Sequence, residues 1–113
     1  MAKIEATLYG DFNEILDALD DAVMNNSASA SFEDGSAFSL GAARCAVRVY
    51  ERYSMLGENR VSMSITLVGD GQRACRLCAI TSGGSKAVLF KINTFGEDAF
   101  LDTIRQTVER YGG

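Results

Sequence analysis

The chain has 113 residues, 47% of them hydrophobic, with eleven lysines and arginines against fifteen aspartates and glutamates, three cysteines, no histidine and no tryptophan. That length suffices for one domain with its own core, the apolar content argues against disorder, and no apolar run approaches the roughly 20 residues needed to cross a bilayer, so no membrane partner is expected. Without histidine, Ser-His-Asp and Cys-His catalysis are excluded, and three cysteines that cannot all pair, with no secretory signature in residues 1–7, predict a reduced, cytoplasmic setting.

Residues 2–8 alternate Ala2, Ile4, Ala6 and Leu8 against Lys3, Glu5 and Thr7, the rhythm of a strand with one buried face. Asp11 followed by Glu14 forms a capping box, and Phe12, Ile15, Leu16, Leu19, Ala22 and Val23 then recur at helical spacing, opposite Glu14, Asp17, Asp20 and Asp21. Asn25-Asn26 is expected to end this helix in a left-handed conformation. From Ser27 to Phe32 the period changes to two, and Glu33-Asp34-Gly35-Ser36 carries a turn signal. Residues 37–43 read equally as a short strand with a bulge at Gly41 or as an irregular connection.

Arg44 to Tyr53 is the clearest strand, with Cys45, Val47 and Val49 on one side and Arg44, Arg48, Tyr50 and Arg52 on the other. Turns at Leu56-Gly57-Glu58-Asn59 and Gly69-Asp70-Gly71 bracket a strand bearing Val61, Met63, Ile65 and Leu67. A further strand covers Arg73 to Thr81, Ser82-Gly83-Gly84-Ser85 reads as a hairpin, and Lys86 to Ile92 as the last strand. From about Glu97 to Tyr111, Phe100, Leu101, Ile104, Val108 and Tyr111 form the stripe of a second amphipathic helix. The predicted architecture is an α+β two-layer sandwich, one antiparallel meander with both helices on one face.

The motifs have weak chemistry. Cys75-Arg76-Leu77-Cys78 has the spacing of redox and zinc sites, but on a strand its thiols project to opposite faces about 10 Å apart. Its cysteines, with Cys45, are therefore read as structural free thiols. Ser82-Gly83-Gly84-Ser85-Lys86 lacks the spacing and the following helix of a phosphate loop. The acidic pair Asp20 and Asp21 lies on a solvated helix face. No metal or cofactor is expected.

The charges are segregated along the chain: between Gly41 and Phe95 eight bases stand against three acids, and elsewhere three bases against twelve acids. Arg44, Arg48 and Arg52 repeat at every fourth position, so a strand aligns them in a row of about 26 Å, with Tyr50 beside them. If that row faces away from the helices, it shares its surface with Arg76, Ile80 and Leu89. These seven residues are the candidate interface or anion-binding surface. A solvated sheet face screened by arginine stems is the competing explanation.

The element order resembles the TATA-binding-protein-like and helix-grip folds. Arg44-Cys45-Ala46-Val47-Arg48-Val49-Tyr50-Glu51-Arg52-Tyr53 and Phe90-Lys91-Ile92-Asn93-Thr94-Phe95-Gly96-Glu97 resemble a family of small uncharacterised bacterial proteins, a domain of unknown function. That resemblance runs over nearly the full chain and implies no activity and no site residues. The expected function is a non-enzymatic binding or self-association module, most simply a homodimer. The alternative is a small-molecule carrier or cyclase-like enzyme with a pocket between sheet and helices. Nucleic acid is the disfavoured partner, given the acidic total and the few aromatics available for stacking.

Overall fold

The computed structural model describes residues 1–54, 59–83 and 90–112, with the backbone alone described for residues 54, 59 and 90–95. Its elements run β1 (Ala2–Tyr9), α1 (Phe12–Asn25), β2 (Ser31–Leu40), β3 (Ala43–Ser54), β4 (Asn59–Gly69), β5 (Ala74–Gly83), α2 (Phe90–Asp102) and α3 (Arg105–Tyr111). The strands form one antiparallel sheet in the order β1-β5-β4-β3-β2. Among the described residues no helix is long and apolar enough to cross a membrane.

One face of the sheet carries the helices. Along β4 the side chains of Val61, Met63, Ile65 and Leu67 are fully buried, while Ser62, Ser64 and Thr66 between them are half-buried and Val68 is exposed. The helices supply Ile15, Leu19 and Val23 from α1 and Phe100 and Leu101 from α2, with Ile104 from the turn behind it. Each such side chain withdrawn from water contributes roughly 1.5–3 kcal/mol. The α1 start follows its capping signal, since Asp11 Oδ2 accepts the Glu14 N–H at 3.0 Å. Asn26 at its far end has φ −102°, outside the left-handed region expected there.

Three further expectations are corrected. The alternation in residues 27–32 does not mark a separate strand: β2 runs unbroken from Ser31 to Leu40, and Asp34-Gly35 lies within it. A bulge between Phe32 and Asp34 accommodates Glu33, and a Cβ on Gly35 would come 2.9 Å from the Val47 carbonyl oxygen. Glycine thus serves close backbone approach there. The reversal occurs at Gly41, whose φ is +60°.

Of the expected strand 86–92, residues 86–89 lie outside the described residues, whereas Phe90, Lys91 and Ile92 open α2. A hairpin partner for β5 at its free edge has no place to pair, because β1 fills that edge from Ala2 to Tyr9. The chain instead folds back over the sheet. Glu97 of α2 accepts the Gly83 N–H at 2.7 Å through Oε2 and the Thr81 hydroxyl at 3.1 Å through its carbonyl.

The C-terminal helix is two helices. The N–H groups of Thr103 and Ile104 donate to the carbonyls three residues back, Phe100 and Leu101, at 3.1 and 3.2 Å, the Thr103 hydroxyl donates to the Phe100 carbonyl at 2.7 Å, and Asn26 Nδ2 donates to the Thr103 carbonyl at 3.0 Å. With that carbonyl engaged by a side chain, the helical ladder breaks and restarts.

Candidate docking surface

In an antiparallel pair, residues directly opposite share a face. β3 pairs Arg44 with Gly69, Arg48 with Ile65, Tyr50 with Met63 and Arg52 with Val61. The arginine row therefore lies on the helix-covered face, which corrects the expectation that it faces outward. Tyr50 is part of the core at 1% exposure. Arg76 and Ile80 do lie on the open face, paired with Val68 and Ser64. The proposed seven are thus split: four on the inner side, two on the outer, and Leu89 outside the described residues.

Each inward arginine is engaged at the margin of the helix layer. Arg44 sits 4.6 Å over the Phe12 ring and donates to Asn13 Oδ1 at 3.1 Å. Arg48 lies 3.9 Å from Asp20 Oδ1 and 5.6 Å over Phe32. Arg52 lies 5.1 Å over Phe100 and 3.5 Å from Ser27 Oγ, and burial lowers its pKa. The stems lie on the apolar layer while the guanidinium groups reach its rim. Tyr50 donates to Asp20 Oδ1 at 2.6 Å, and burial, then the Asp20 carboxylate, push its phenol well above its ordinary value. With neighbouring arginines about 13 Å apart on one strand and each already partnered, the row stitches β3 to α1 and α2. A groove of about 320 Å³ on this side, floored by Gly35, Ala37 and Ala46, runs between Phe32 and Arg48.

The open face has a different chemistry. Its middle is uncharged: Cys45, Val47 and Val49 on β3, Ser62, Ser64, Thr66 and Val68 on β4, Cys78 and Ile80 on β5. Charges stand around it, with Lys3 and Glu5 on β1, Asp34 on β2, Arg76 near one end, and the Arg60–Glu51 ion pair at the other. Phe38 and Leu40 on β2 continue the apolar surface and are 58% and 84% exposed. An uncharged centre with a charged rim is the anatomy of a protein interface. Among the described residues every helix packs on the opposite side of the sheet.

Cys78 and Cys45 are half-buried on the open face, while Cys75 is buried in the core, where burial and then Asp70 and Asp11 raise its thiol pKa. All three are free thiols. No three Cys, Asp or Glu side chains among the described residues converge as a metal ion would need.

Sequence alternation found both faces of β4 but assigned β3 the wrong sign. The missed signal is connection parity. Four residues, 55–58, join β3 to β4, and an even connection pairs even-numbered with odd-numbered residues, so Arg48 must share the face of Ile65.

No curated protein and no solved structure matches the chain. A family model does match residues 1–112, and the chain belongs to that family, the family of unknown function DUF6054.

Proposed function

We propose that this protein is a non-catalytic association module whose open sheet face is its docking surface. The observation that carries the reading is the uncharged field across β3, β4 and β5 with charges confined to its margins. A face that only met water has no need of Val47, Val49, Val68 and Ile80 on the same side of three neighbouring strands. The alternative, a small-ligand carrier, has less support. The space between sheet and helices is occupied by Leu8, Ile15, Leu19, Met63, Leu77 and Phe100, each at most 1% exposed. Among the described residues the reactive groups that an enzyme would gather are scattered, with Tyr50 and Asp20 satisfying each other.

Thr66→Glu tests the reading, because it sets a carboxylate in the middle of the face without touching the core. Native mass spectrometry of the protein isolated from its own cells should show the wild type in a complex and the variant as a single chain, with unchanged circular dichroism. A variant that retains the wild-type complex would refute the docking assignment.

A further inference from the structure

The occupant of the open face is written in how its residues line up across the strands. Lys3, Ile80, Ser64, Val49 and Asp34 stand in one continuous row from the β1 edge to the β2 edge. β4 is the middle strand of five, with a cation at one end of this row and a carboxylate at the other. A two-fold axis lying parallel to β4 in the plane above the face would turn a second copy so that β1 lies over the partner's β2. Lys3 then meets the partner's Asp34, Ile80 meets the partner's Val49, and Ser64 meets its own twin on the axis. By symmetry each unlike contact occurs twice.

The adjacent row obeys the same rule. It runs Glu5, Cys78, Thr66, Val47 and Ser36. The same rotation sets Glu5 over the partner's Ser36 hydroxyl, Cys78 over the partner's Val47, and Thr66 over itself. A hydroxyl both donates and accepts, so Ser64 and Thr66 are chemically suited to meet their own copies. Opposite charges meet at the rim and apolar groups meet within it, and no like charges are brought together in either row.

Size agrees. Five strands at about 4.8 Å, each about eight residues long at about 3.3 Å per residue, give a face of roughly 600 Å² in projection, and more as corrugated accessible surface. Stable interfaces bury about 800 Å² per partner. Two twisted sheets related by this axis remain parallel strand over strand, the aligned packing of β-sandwiches.

We infer that the open face binds a second copy of this chain, forming a face-to-face dimer with its two-fold parallel to β4 and Lys3 paired to the partner's Asp34. This rests on the docking assignment above and adds the partner and the axis. Charge reversal tests it by sedimentation equilibrium, with thermal melts verifying that each variant is folded. Lys3→Asp and Asp34→Lys should each raise the dimer dissociation constant about ten-fold, since each sets like charges together at two symmetric places. The double variant should return to within about three-fold of wild type, because reversing both partners restores attraction. A wild type that stays monomeric to high micromolar concentration overturns the inference, whatever else docks on the face. A wild-type dimer that Thr66→Glu dissociates but whose double reversal is no tighter than the singles overturns the axis while leaving the docking face intact.

Discussion

Strands β3 and β4 are paired residue by residue over eleven positions, yet they divide their polarity in opposite senses. β4 turns Val61, Met63, Ile65 and Leu67 toward the helices and Ser62, Ser64 and Thr66 away. β3 turns three arginines toward the helices and Cys45, Val47 and Val49 away. The difference follows from position. β4 lies at the centre of the sheet under the helix layer, so its inner face must be apolar. β3 lies toward the margin of that layer, where a long side chain can cover the core with its stem and reach solvent or a helix carboxylate with its head. Period-two patterning reports that a strand has two faces, but which face is buried is decided by what lies above it.

The comparison breaks first at the core. Ile65→Ala should lower stability by about 2–5 kcal/mol in urea unfolding, whereas Thr66→Ala, its neighbour on the open side, should change the dilute chain by about 0.5 kcal/mol or less. Equal losses at the two positions would mean that both faces are covered within one chain.

A smaller effect sharpens the marginal, polar half of the inner face. Tyr50→Phe removes the hydroxyl held by Asp20 and should cost about 1–3 kcal/mol at neutral pH. The fold keeps the phenol protonated beyond its ordinary value of about 10. The stability linked to it is therefore present in full below that pH and is lost as the pH climbs toward the raised folded value, because the unfolded chain ionises first. Alkaline titration of the unfolding midpoint should accordingly be shallower in Tyr50→Phe than in wild type.

Much of the fold is legible in the sequence because the signals are local and mutually consistent. Asp11 and Glu14 mark the start of α1, and the stripe from Ile15 to Val23 gives its buried side. Strands β1, β4 and β5 show their alternation directly. What escapes is set by distant partners. Residues 90–92 have strand composition, but β1 has already taken the edge of β5. The helix break at Thr103 depends on Asn26, 77 residues earlier. Asp34-Gly35 reads as a turn, yet the glycine answers a close backbone approach from Val47. On the candidate surface, Arg76 and Ile80 were legible because β5 has the plain alternation of a central strand. The inward direction of Arg44, Arg48, Tyr50 and Arg52 needed the pairing of β3 with β4, which composition does not carry.

The three native thiols allow the docking account to be tested without any substitution. Alkylation rates of Cys45 and Cys78, both on the open face, should fall as protein concentration rises through the association range, while Cys75 in the core stays unreactive throughout. Rates at Cys45 and Cys78 that are the same at every concentration would contradict burial of this face on association.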